Sequence, residues 1–280
     1  MNSLLNLFIF ILVTVLYYLK IKPIITIASM QSDEAIKKYS GALNTSLVIY
    51  LLLNILFQFI VNVAYISNKC GGSIKDNIGP AGLSTFFPWF FMFGAIIILI
   101  LVFPSLKGGF ADVFGYFYIS SAANKLLGDL LIDKDIQDKI DVVGNNNQEK
   151  KALEDAANAI VKICGNPSII INQIVPSNFE SYWDILTPLM KPEYKTDNSK
   201  NVEMKEKLFK LVVSRDNVGE SFWFIYTGIL VVSLVSLNIN TRNCYVSPKQ
   251  MESDYQNFLK EEEQAEQKKQ SVSNQVYTIT

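Results

Sequence analysis

Four uncharged apolar runs divide the sequence: Leu4–Leu19, Ser46–Ile66, Phe86–Phe103 and Phe222–Ile239. A stretch of about 20 apolar residues spans a bilayer as a helix, because only a helix satisfies its own backbone hydrogen bonds there. The runs therefore predict an all-α, mainly helical multi-pass membrane protein with four transmembrane helices. Charged residues make up 18% of the chain and gather between the runs. A soluble domain averages about 25%.

The first run is short for a span. No Lys or Arg precedes it and no A-x-A site follows, while Lys20 and Lys22 come directly after it. That pattern reads as an uncleaved anchor rather than a signal peptide. In the second run Asn54, Gln58 and Asn62 recur every four residues and share one helix face. No ionisable group accompanies these amides, so they read as glue between helices rather than as a polar path. In the third run Pro88 is expected in a first turn, Pro104 closes the helix, and Trp89 is expected at a membrane surface. In the fourth, Gly228, Ser233 and Ser236 suit close helix packing.

These readings divide the chain as follows. Residues 1–66 form an anchor with spans at 4–19 and 46–66, and 67–85 form a short loop. A third span (86–104) precedes a folded domain (105–221). A fourth span (222–239) precedes a tail (240–280) with an amphipathic helix. Lysines are denser in the first loop than in the second. The positive-inside bias thus places the first loop and the 107–220 block in the cytoplasm. Cys70 and Cys244 then share the opposite face, where they pair in an oxidising lumen or remain two free thiols, while Cys164 stays reduced.

Between the third and fourth runs the pattern is helical. Leu153, Ala156, Ala157, Ile160 and Cys164 recur at helical spacing. Ser177 with Glu180 reads as a capping box opening a helix, and Lys205–Val213 reads as a third amphipathic piece leading into the fourth run. Ser168–Val175 is β-branched, and periodicity leaves strand and helix both open. The Asn145–Asn147 run reads as a turn. Asp129, Asp133, Asp135, Asp138 and Asp141 read as a solvated helix face, because Asp138 and Gly144 fail the EF-hand positions for Gly and Glu. In the tail, Ser247, Pro248 and Gln250 start a helix bearing Met251, Tyr255, Phe258 and Leu259.

The chain has no histidine, no CxxC pair, and no GxSxG, P-loop or HExxH motif. Neither catalytic residues, a metal site nor a cofactor is expected. A formal net charge of −1 gives no footprint for nucleic acid, and no small-molecule substrate is indicated.

The third run ends in FPSLKGGFADVFGYFY, Phe103–Tyr118. Here Phe103, Pro104, Lys107, Phe110, Phe114, Gly115 and Tyr116 resemble a collar in minor capsid proteins of large icosahedral DNA viruses of the phycodnavirus and mimivirus type. Ile171–Asn172, and Trp223, Thr227 and Gly228, are similar in order and spacing. The resemblance covers about residues 83–244. Ser105, Gly108 and Gly109 depart from the aromatic or Pro residues of that pattern. The resemblance implies a virion protein of the internal membrane beneath the capsid, assembled on endoplasmic-reticulum membrane, with the major capsid protein and other minor capsid proteins as partners. A channel or transporter using the second span, or a membrane-embedded enzyme, is the alternative. Gly108 and Gly109 are expected to make a sharp turn that sets the domain against the bilayer.

Overall fold

The computed structural model describes residues 2–70, 74–131, 167–187, 190–196, 198–242, 244 and 248–273. The expected helix around Leu153–Cys164, Asp133–Asp141, the Asn145–Asn147 turn and Ser247 lie outside them. Among the described residues there is no strand, only an isolated bridge between Leu131 and Met190.

Among the described residues, four helices are long and apolar enough to cross a membrane: Leu4–Ile21, Asp33–Cys70, Asn77–Val102 and Ser199–Thr241. The chain is thus an all-α multi-pass membrane protein. The first span is α1 (Asn2–Leu16) with a π-helical end, Tyr17–Ile21. The second is α2, Asp33–Cys70. The third joins α3 (Ile74–Pro88), a π-turn (Trp89–Phe93) and α4 (Gly94–Val102). Beyond it lie a 3₁₀ turn (Pro104–Lys107), α5 (Gly108–Phe110), a second π-turn (Ala111–Gly115) and α6 (Tyr116–Leu130). The outer part continues with α7 (Pro167–Gln173) and α8 (Phe179–Leu186). Helix α9, Ser199–Thr241, returns to the membrane, and α10 is Pro248–Ser273.

The bundle is arranged for lipid. Leu4, Phe8, Val48, Leu52, Ile98 and Leu237 are exposed on its outside, while Asn6, Thr14, Asn54, Gln58, Asn62 and Thr85 are buried inside. Polar groups in hydrocarbon need protein partners, and apolar side chains there do not need burial. The interior is otherwise aromatic: Phe10, Tyr17, Tyr50, Trp89, Phe93 and Phe224 form one core. A second core, outside the spans, joins Ile119, Leu127 and Leu130 of α6 to Ile171, Trp183, Leu208 and Phe209.

One helix serves both cores. Helix α9 has 43 residues and at 1.5 Å per residue runs about 65 Å, twice the hydrocarbon thickness. Asn198 caps it by accepting from the Asn201 backbone N–H at 2.9 Å. The piece at Lys205–Val213 and the run Phe222–Ile239 are therefore one element. The polar SRDNVGES stretch between them, 214–221, stays helical because its side chains find partners.

Several other expectations are corrected. Residues 67–85, read as a loop, are largely helix, because α3 packs along α2 and Gly82 lies against the Phe59 ring. Pro88 sits inside a helix rather than at its start. The following π-turn accommodates the N–H it lacks. Trp89 is not a surface belt residue. It is fully buried against Phe10 and Phe93, with ring centroids 5.4 and 5.2 Å away. Ser168–Val175, for which periodicity leaves strand and helix both open, is mostly helix: α7 covers Pro167–Gln173 and packs on α6. Ser177 and Glu180 form no capping box at α8. Asn178 is its N-cap without a side-chain bond, and Glu180 pairs with Lys205 at 2.5 Å.

Candidate functional site

The polar stretch of α9 meets the ends of the first and third spans where the bundle joins the outer core. Asp216 and Glu220 are four residues apart and share a face. Glu220, 2% exposed, receives Lys22 Nζ at 2.5 Å and the Tyr18 hydroxyl at 3.0 Å on Oε1. Lys107 Nζ reaches Glu220 Oε2 at 3.1 Å and Asp216 Oδ2 at 3.1 Å. Lys22 also donates to Asn217 Oδ1 at 2.8 Å. Two cations and two carboxylates thus neutralise one another at low exposure. Burial disfavours the Lys107 charge, but Glu220 and Asp216 outweigh it and raise its pKa. Burial dominates at Lys22 and lowers its pKa against the attraction of Glu220.

The collar wraps the same stretch of α9. Phe103 leaves the helix with φ −123° and ψ 75°, ahead of Pro104. Lys107 enters the charge cluster, and the Leu106 carbonyl accepts from Trp223 Nε1 at 2.8 Å. Phe110 lies 4.8 Å from Trp223, and Phe114 stacks on Phe222 at 4.4 Å. Tyr116 packs against the outer core and donates to Asn124 Oδ1 at 3.4 Å.

Gly108 and Gly109 do not make the expected sharp turn. Gly108 is helical, and both lie in α5 with room for a Cβ, whose nearest neighbours are at 3.6 and 3.9 Å. The close approaches belong to Gly115 and Gly219. A Cβ on Gly115 would stand 2.5 Å from the Arg215 carbonyl oxygen. One on Gly219 would stand 2.6 Å from Ala111 Cβ and 2.7 Å from the Lys107 carbonyl oxygen. Two bare backbones let collar and helix touch.

Arg215, 1% exposed, reaches outward from the same stretch. Its Nη1 donates to the Ile171 carbonyl, and Asp112 Oδ1 lies 4.0 Å away. Asn172 Nδ2 donates to the Asp112 carbonyl at 3.1 Å. The Ile171–Asn172 pair therefore fastens the outer core to the collar.

The amide stripe sits deeper. Asn62 donates to Thr85 Oγ1 at 2.8 Å and accepts from Asn6 Nδ2 at 2.8 Å. Gln58 donates to the Asn6 carbonyl at 2.7 Å, whereas Asn54 donates to the Tyr50 carbonyl of its own helix at 2.9 Å. Gly228 faces the Phe10 ring, which leaves no room for a Cβ. At the far end Cys70 and Cys244 form a disulfide, with S–S 2.03 Å. Lys69 Nζ there donates to the carbonyls of Ile239 and Asn240 at 2.9 and 2.8 Å.

Sequence reasoning found Lys107, Gly115 and the aromatic residues but missed Lys22, Asp216, Gly219 and Glu220 as a set. The one available signal was the Asp216/Glu220 spacing immediately before an apolar run. Among the described residues no group of three His, Cys, Asp or Glu side chains gathers as a metal set. The arrangement is a clamp: it fixes the ends of the first and third spans and the collar to one helix at the membrane boundary. Comparison with known protein families, curated proteins and solved structures finds no match for this chain.

Proposed function

We propose that this chain is a structural minor capsid protein that links an internal viral bilayer to an icosahedral shell. The observation that carries the reading is the unbroken α9. A strut must transmit position, and a 43-residue helix shared by both cores, clamped at its midpoint, does so without a hinge. The collar resemblance supplies the viral setting.

Two arguments support the orientation. The lysine bias puts the outer core on the cytoplasmic side. The Cys70–Cys244 disulfide lies at the opposite end and belongs in an oxidising compartment. Assembly on reticulum membrane turns the cytoplasmic face, and hence the outer core, toward the shell. The donor groups of the amide stripe all bond within the bundle, so the channel reading gains no observation of its own.

Cross-linking mass spectrometry on purified particles tests the proposal. Lys125, Lys195 and Lys207 should cross-link to shell proteins, with the chain present in many copies. Absence from particles, or trace amounts without shell contacts, would overturn it.

A further inference from the structure

On the lipid-facing side α2 and α4 leave an apolar cavity of about 490 Å³, lined by Leu47, Val48, Leu51, Phe90, Ile98 and Leu101. Gly94 opens its floor, since a Cβ there would meet only Leu51 Cδ2 at 3.8 Å. Asn44 stands at one end. A second cavity of about 370 Å³ shares Asn44 and Leu101 with the first and continues past Ser40 and Pro104 to Lys107 and Glu220. Both volumes lie in the range of about 300–1,000 Å³ typical of ligand pockets.

The two adjoin across Asn44 and Leu101 and together are long enough to be taken as one slot. Its apolar part lies along the hydrocarbon-spanning stretches of α2 and α4, and its polar part opens at the membrane boundary. That division matches an acyl chain joined to a headgroup. The polar end presents both signs, the Lys107 ammonium and the Glu220 carboxylate, beside the neutral Ser40 and Asn44. A purely anionic headgroup there would face Glu220 without a matching cation to spare, since Lys107 is already shared between Glu220 and Asp216. A zwitterionic headgroup sets its phosphate toward Lys107 and its ammonium toward Glu220 and Asn44.

We infer that this slot binds a zwitterionic bilayer phospholipid, with one acyl chain between α2 and α4 and the headgroup at Lys107, Glu220 and Asn44. The inference rests on the membrane-spanning bundle and is independent of the capsid setting. A lipid wedged there fills a gap between α2 and α4 beneath the charge clamp, and so ties bundle packing to the lipid class around it.

The test is photolabelling of the full chain in vesicles of equal phosphatidylethanolamine and phosphatidylglycerol. A trace of either lipid carries a diazirine on its acyl chain, and labelled peptides are mapped by mass spectrometry. The phosphatidylethanolamine probe should label Leu47–Leu51 and Phe90–Ile98 about tenfold more than the phosphatidylglycerol probe does, the scale of one charge-assisted hydrogen bond. Ala95→Trp, which fills the slot from its exposed wall, should reduce that labelling to the level seen on Leu4, Phe8 and Leu12. Ser40→Lys should shift preference toward phosphatidylglycerol. Val48→Trp gives a second filling variant should Ala95→Trp not insert. Labelling that is uniform around all spans, equal for both probes, or unchanged by filling would mean annular lipid only and would overturn the inference.

Discussion

Replacing Glu220 with Gln tests the clamp at its centre. The substitution keeps the size and a hydrogen-bond acceptor but removes the charge that Lys22 and Lys107 share. Lys107 retains Asp216, whereas Lys22 retains no carboxylate, only the neutral Asn217 amide oxygen and the Tyr18 ring face 5.0 Å away. The Lys22 side chain is 8% exposed, so water compensates little. Removing one partner of a buried ion pair costs about 3–5 kcal/mol. A chain of this size loses about 2–4 °C of melting temperature for each kcal/mol, so a drop of roughly 6 °C or more is expected. The assay is thermal unfolding of detergent-solubilised protein followed by helical circular dichroism. The paired replacement Lys22→Met with Glu220→Met leaves Lys107 on Asp216 and should recover most of the loss, because a buried pair exchanged for apolar side chains is often neutral. A shift below about 2 °C for Glu220→Gln, or a double replacement as damaging as the two single changes summed, would refute the reasoning.

Other outcomes follow from the same geometry. Gly219→Ala places a Cβ against Ala111 and the Lys107 carbonyl and should cost about 1–3 kcal/mol, read by the same melting experiment. Gly108→Ala, where helical backbone has room, should be neutral or stabilising by up to about 1 kcal/mol. Cys70→Ser should remove about 2–4 kcal/mol and abolish the Cys70–Cys244 peptide in non-reducing mass spectrometry. Asn62→Leu strips partners from Asn6 and Thr85 and should cost about 1–3 kcal/mol, again by melting.

The four spans were legible because hydropathy over a run of residues depends little on tertiary context. The amide stripe was legible for a related reason: Asn54, Gln58 and Asn62 lie on one helix, so spacing alone places them on one face. The charge clamp draws on residues 22, 107, 216 and 220, of which a local pattern relates only the last two. Hydropathy also treats SRDNVGES as a break between elements, whereas its charges are buried against distant partners and the helix continues. Trp89 shows the converse failure. An amphipathic ring beside an apolar run suggests a membrane surface, but Phe10 and Phe93 enclose it at the bundle centre. The glycine pair at 108–109 drew attention by adjacency, while the glycines that permit contact, Gly115 and Gly219, lie on opposing elements whose meeting only the fold reveals.

The most direct test of the linker account interrupts α9 between its two cores. A short Gly-Ser insertion between Val213 and Ser214 leaves the spans and the outer core intact but breaks the rigid helix between them, leaving the collar and the Arg215–Ile171 contact to join them. Cryo-electron microscopy of particles carrying it should show a shell-to-membrane gap that is wider or more variable than in the unmodified particle. A gap of unchanged width and regularity, with the protein at its normal copy number, would contradict the claim that this helix holds bilayer and shell in register.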